Sequence, residues 1–156
     1  MRRRNLLGAA LSWQLALTVR AAPDHRLPAA ISLKDELAAA LGLAQPLVVM
    51  VSLDGCPFCR VVREHHLLPL LQQGQPVVQV DMRSNARVLD FAGKSRSHDE
   101  LVRTWKANVA PTLLFFGKGA REVAPRLQGA SIPDFYGSYL EQRIHAARLE
   151  LTAARR

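Results

Sequence analysis

Apolar positions fall along this chain in two periods, one helical and one extended. Leu33, Leu37, Ala40 and Leu41 recur at helical spacing behind Ser32, and Ser32-Leu33-Lys34-Asp35 resembles a capping box. Pro46 closes that segment. Leu47-Val48-Val49-Met50-Val51 follows as an unbroken, mostly β-branched run, the pattern of a strand buried on both faces. Asp54-Gly55 interrupts it. From Pro57 to about Leu71 the spacing returns to helix, with Val61, Val62, Leu67, Leu68 and Leu71 as candidate core positions and a kink expected at Pro69. Gly74 ends the helix, and Pro76-Val77-Val78-Gln79-Val80-Asp81 reads as a second buried strand. Strand, helix and strand in that order predict a right-handed crossover between parallel strands.

The second half is less regular. Met82 to His98 is long and polar for a connection, with a short strand or turn expected at Val88-Leu89-Asp90-Phe91. Ser97-His98-Asp99-Glu100 opens a helix with an acidic first turn, expected to run to about Asn108. Thr112-Leu113-Leu114-Phe115-Phe116 predicts a third strand, and Gly117-Lys118-Gly119-Ala120 a tight turn. Arg121 to Leu127 should return as an antiparallel edge, where Pro125 is tolerated. A last helix is expected behind Ser131, with Phe135, Tyr139, Leu140, Ile144 and Ala147 on one face. Trp105 and Phe115-Phe116 read as packing residues. These elements predict one α/β domain over residues 31–150, with a mixed sheet and helices on both faces. A lead-in at 22–30 and a basic tail at 151–156 flank it, and no internal repeat is visible.

Charge changes this picture only at the N-terminus. The chain has 156 residues and a formal net charge of +8. Four of its 21 basic residues, Arg2, Arg3, Arg4 and Arg20, lie in the first 20 positions with no acid among them, leaving 17 against 13 acids. That scattered remainder is an ordinary solvated surface, and no nucleic-acid partner is expected. Arg2-Arg3-Arg4 followed by the apolar stretch Leu6 to Val19 reads as an export signal over residues 1–21, cleaved near Ala21, with a partial twin-arginine likeness at Arg3-Arg4-Asn5-Leu6-Leu7. The stretch is shorter than the roughly 20 residues that span a bilayer. A periplasmic location is the expectation.

Only two cysteines occur, and they are three residues apart. A bridge across so small a loop restrains the unfolded chain little. Such a pair serves reactivity or metal, and an exported context favours redox chemistry. Cys56 follows a buried strand and begins a helix, where unpaired backbone N–H groups favour a thiolate. Cys56 is therefore the expected nucleophile and Cys59 the resolving thiol. Pro57 suits the first helical position, where its missing N–H costs nothing.

The order strand, Cys56-Pro57-Phe58-Cys59, helix, strand, helix, then Ala110-Pro111-Thr112 with an apolar strand and a hairpin, resembles the thioredoxin superfamily over about residues 31–147. The resemblance implies a cis peptide at Ala110-Pro111 lying beside the cysteines, with backbone there that pairs with an extended substrate segment. It also implies that Phe58 is exposed and available to a partner. Three features depart from ordinary thioredoxins. Pro57-Phe58 replaces their Gly-Pro, Gly55 stands where they carry an aromatic residue, and Met50 stands where they bury an acid. Pro57-Phe58 resembles the dipeptide of glutaredoxins and oxidising bacterial disulfide proteins, whereas the 82–98 segment and the export signal resemble periplasmic thioredoxin-like proteins of the SoxW and TlpA/DsbE kind.

The resemblance implies a monomeric thiol–disulfide oxidoreductase without cofactor or resident metal. It would reduce disulfides of periplasmic proteins and draw electrons from a membrane donor. A disulfide oxidase or isomerase is the alternative within the same chemistry, and a copper-binding chaperone using the cysteine pair or a redox-inert interaction module on the same fold are the alternatives outside it. His65-His66 does not extend the pair into a metal site. His66 lies seven residues beyond Cys59, about 10 Å along a helix axis, too far for one shared ion.

Overall fold

Every residue of the run Leu47–Ser52 is buried, which requires a covering layer on each side of that strand. The computed structural model describes residues 25–130 and 133–153. Its elements are α1 (Leu33–Gly42), β1 (Leu47–Ser52), α2 (Pro57–Val62), α3 (Leu68–Gln72), β2 (Val77–Asp81), β3 (Arg87–Leu89), β4 (Ser95–Ser97), α4 (His98–Thr104), β5 (Thr112–Phe116), β6 (Leu127–Gln128) and α5 (Pro133–Ala153). The main sheet has the order β2-β1-β5-β6. β1 pairs with β2 in parallel, from Val48 opposite Val77 to Ser52 opposite Asp81. It pairs with β5 antiparallel, from Leu47 opposite Phe116 to Val51 opposite Thr112. The sheet is mixed, as the sequence pattern predicts.

Alternation along β1 divides the core in two. Leu47, Val49 and Val51 join Leu33 and Leu37 of α1 and Leu101 and Val102 of α4. Val48 and Met50 join Cys59 and Val62 of α2 and Tyr136, Leu140 and Ile144 of α5. The helix predicted from Pro57 to Leu71 is broken by a π-turn at Arg63–Leu67. Pro69 has no N–H to give His65, and the N–H of Leu68 reaches back five residues to the carbonyl of Arg63. Val62 and Leu67 are buried as expected, whereas Val61 is an exposed position.

Two boundaries differ from the sequence reading. The lead-in belongs to the packed unit: Leu27 and Ala30 are buried, and Ala30 N–H donates to Gln79 O while Gln79 N–H donates to Pro28 O. Pro28 to Ala30 thereby extends the sheet beyond β2, and Ile31 O accepts from Leu89 N–H to attach the β3–β4 hairpin. At the other end α5 runs to Ala153 with Leu151 buried, so the packed helix continues into the expected tail. Its buried side chains are Tyr136, Leu140, Ile144, Ala147 and Leu151, while Phe135 and Tyr139 are exposed. Ser131, the expected cap of that helix, lies outside the described residues, as does the expected export signal.

The 82–98 segment is a two-stranded hairpin. Asp90 closes its turn by accepting from the N–H groups of Lys94 (2.8 Å) and Ala92 (2.9 Å). Those bonds, the Lys94 one foremost, hold its carboxyl below the usual range. The helix expected from 97 to 108 stops at Thr104, opened by a full capping box between Ser97 and Glu100. The expected edge at 121–127 reduces to Leu127–Gln128 and a single bridge at Glu122, since Pro125 has no N–H to offer. Gly117 allows a close approach here. A Cβ on it would lie 2.5 Å from Val123 Cγ1 and 2.9 Å from Leu151 Cδ2.

Candidate active site

The cysteine pair is placed by the way β1 ends. Leu53, Asp54, Gly55 and Cys56 form a turn closed by Cys56 N–H to Leu53 O at 3.2 Å. Gly55 takes φ +70, the left-handed conformation that its third position demands. No neighbour lies within 4 Å of a Cβ built there, so backbone conformation rather than space calls for glycine. Cys56 then caps α2. Its Sγ accepts from Cys59 N–H at 3.1 Å, and Pro57 fills the first helical position.

Cys56 and Cys59 are joined as a disulfide, with Cα atoms 5.3 Å apart. Their surroundings differ. Cys59 has no solvent exposure and packs among Met50, Val62 and Leu67, whereas Cys56 is half-buried at the surface. An external thiol or disulfide can approach only one of the two sulfurs. Met50, also fully buried, shares that apolar cluster with Cys59.

Ala110 and Pro111 arrive from a distant part of the chain. The Ala110–Pro111 peptide is cis, and Ala110 O lies 4.0 Å from Cys56 Sγ. The loop is pinned on both sides: Thr112 Oγ1 donates to Val109 O at 2.6 Å, and Gly129 N–H donates to Pro111 O at 2.7 Å. Phe58 is 59% exposed and Val109 is exposed too, so apolar surface flanks the half-buried sulfur. The expected site residues Gly55, Cys56, Pro57, Phe58 and Cys59 therefore form one turn, with Ala110 and Pro111 brought beside it.

A second surface at Cys56 is absent from the sequence reading. A groove of about 1,020 Å³ runs from Cys56 across the ends of β1 and β2 to the lead-in, with Arg26, Arg60, Arg63 and Arg83 on its walls. Arg63 is held by Gln79 Oε1 (2.9 Å) and Ser52 Oγ (3.0 Å), and Gln79 Nε2 donates to Asp81 Oδ1 at 2.7 Å. Arg60 and Arg63 are three apart on a helix, a hint of a shared face. Nothing in the sequence joins them to Arg26 or Arg83.

His66 belongs to the π-turn. Its ring packs on Tyr136 with centroids 5.1 Å apart. Burial, then the charge of His65, pushes its pKa below the ordinary 6.5.

A family model described as a thioredoxin-like domain matches residues 33–144. A search of the curated proteins gives no sequence match. Among solved structures, a thioredoxin from Thermus thermophilus is 21% identical with a TM-score of 0.52, covering 75% of this chain and 87% of its own. A DsbH oxidoreductase is 17% identical with a TM-score of 0.51, covering 90% of this chain and 96% of its own. At these identities the two structures speak for the fold. With the domain match over most of its length and a cysteine pair at the fold's active-site position, the chain belongs to the thioredoxin-like domain family and is a thiol–disulfide oxidoreductase.

Proposed function

We propose that this protein is exported and reduces disulfides in periplasmic partner proteins, with Cys56 as the attacking thiol and Cys59 as the resolving one. The observation that carries the reading is the unequal burial of the pair: Cys59 is sealed and Cys56 reaches the surface. In the reduced protein the Cys56 thiolate attacks a partner disulfide and displaces one partner thiolate, leaving a mixed disulfide on Cys56. The Cys59 thiolate then attacks the Cys56 sulfur and releases the second partner thiol, so two electrons pass to the partner and the Cys56–Cys59 bond closes. The Ala110 backbone and Phe58 are the surfaces offered to the partner chain. Export rests on the basic and apolar N-terminal sequence through Ala21, and a membrane electron donor would return the dithiol for the next cycle.

The Cys59→Ala variant tests the exchange step. It should accumulate mixed disulfides on Cys56 when incubated with extracts of the exported protein fraction, visible as species that dithiothreitol removes and Cys56→Ser abolishes. An absence of trapped species would overturn the mechanism. Equilibration against glutathione tests direction: a potential more reducing than glutathione supports the reductase, and one more oxidising makes the protein a disulfide donor.

A further inference from the structure

The groove beside Cys56 sits where the fold changes direction. β1 and β2 are parallel and end together at Ser52 and Asp81. From β1 the chain passes to α2 on one face of the sheet, and from β2 it passes through the hairpin to α4 on the other. Connections that leave adjacent parallel strands toward opposite faces open a crevice at the strand ends, where ligands commonly bind.

Arginines outnumber acids on its walls. Arg26 comes from the lead-in, Arg60 from α2, Arg63 from the π-turn and Arg83 from the segment after β2, whereas the acids on the wall are Asp54 and Asp81. Among the described residues both side-chain hydrogen bonds of Arg63 go to neutral oxygens, Gln79 Oε1 and Ser52 Oγ, rather than to a carboxylate. Arg83 takes φ +59, a conformation non-glycine residues rarely hold, and Asp99 Oδ1 fixes it by accepting its N–H at 3.0 Å. Arg60 and Arg83 are both exposed. The groove is open along Gly55, Pro57 and Arg60, and its volume of about 1,020 Å³ reaches Cys56.

We propose that this groove receives an acidic stretch of the partner chain next to its reactive cysteine, making acidic protein disulfides the preferred substrate class. This inference rests on the exchange function above. The groove supplies no chemistry of its own; it raises the encounter rate and holds the flanking segment while Cys56 attacks the partner sulfur.

The test uses the protein reduced with dithiothreitol and desalted, and three synthetic peptides, each closed by one internal disulfide and flanked by glutamates, glutamines or lysines. In about 0.02 M salt the glutamate peptide should be reduced about tenfold faster than the glutamine peptide, and the lysine peptide slowest. In about 0.5 M salt the rates should converge. In the double variant R60E/R83E the glutamate-to-glutamine rate ratio should fall below one, and in Arg83→Gln alone it should fall part of the way. Because the readout is a ratio within one preparation, a partly unfolded variant does not distort it. Equal rates on the glutamate and glutamine peptides, or an unchanged ratio in the variants, would overturn the groove's role while leaving exchange intact. Failure to reduce any of the peptides would overturn the exchange reading and this inference with it.

Discussion

On one face of the sheet Leu47, Val49 and Val51 meet α1 and α4, and on the other Val48 and Met50 meet α2, the π-turn and α5. The first face is anchored at its helix starts. Ser32 and Glu36 take up N–H groups at the head of α1, and Ser97 and Glu100 form the reciprocal box at the head of α4. Buried His98 accepts from Asp81 N–H at 3.1 Å on Nδ1 and lies 3.4 Å from Ala30 O at Nε2, tying α4 to β2 and to the lead-in. Phe91, Trp105 and Phe116 close it with ring centroids 4.6 to 6.3 Å apart. The second face holds the buried sulfur, a helix interrupted between Cys59 and Pro69, and a Tyr136 hydroxyl buried without a hydrogen-bond partner among the described residues. Each face buries an unpartnered oxygen among the described residues, Glu36 Oε2 on the first and the Tyr136 hydroxyl on the second, but only the second interrupts a helix beside the chemistry.

Matched truncations would separate the two roles. Leu33 on the first face and Leu67 on the second are both fully buried. Leu33→Ala and Leu67→Ala should each cost about 3 kcal/mol, a fall of about 10 °C in the melting midpoint. Their effects on exchange should differ. Leu67 ends the π-turn that carries Arg63 and follows the helix of Cys59, so Leu67→Ala should slow peptide-disulfide reduction severalfold per folded molecule. Leu33→Ala should leave that rate within twofold. Equal kinetic losses would mean that the faces are not functionally distinct.

A smaller effect of opposite sign is expected at Tyr136. Its hydroxyl is desolvated without a compensating bond, and that burial pushes its pKa far above the ordinary tyrosine value. Tyr136→Phe keeps the ring on His66 and removes the stranded oxygen, so it should stabilise the protein by about 1 kcal/mol. The urea midpoint measures this. A lower midpoint would show that the hydroxyl has a partner after all.

The sequence made the first face and the cysteine turn readable for one reason: their signals are local. Unbroken apolar runs mark β1 and β5, Ser-x-x-acid patterns mark the helix starts, and the cysteine spacing lies within one helical turn. What escaped depends on convergence. Arg26, Arg60, Arg63 and Arg83 form a groove only once four elements are assembled. Of the hairpin, Val88 and Leu89 fall in the expected short strand or turn, whereas Ser95–Ser97 buries only Ser97, so no alternation announces it. In α5 the sequence offers two aromatic choices one residue apart. Packing against His66 selects Tyr136 over Phe135 and Tyr139 stays exposed, while Leu140, Ile144 and Ala147 are buried as expected.

The smallest predicted effect comes from His66 and sharpens the contrast through pH. Burial foremost, with the neighbouring charge of His65, makes the folded protein reluctant to protonate this ring, whereas the unfolded chain takes the proton near 6.5. Below that value the unfolded state therefore binds more protons than the folded state at this position. The associated stability is complete above pH 6.5, declines as pH falls through 6.5 toward the lower folded pKa, and then levels off. Asp90, Asp99 and Glu100 have lowered pKa values and act in a separate window, where stability is lost as pH falls below the ordinary carboxylate range. Melting between about pH 7 and about pH 5 should therefore show a shallow decline from the second face. The ring is only half-buried and solvent weakens the effect, so it should be the least of the three. His66→Gln should flatten the decline while preserving the carboxylate-driven loss at lower pH. If the wild-type and His66→Gln midpoints fall in parallel through this range, the ring contributes nothing to pH sensitivity.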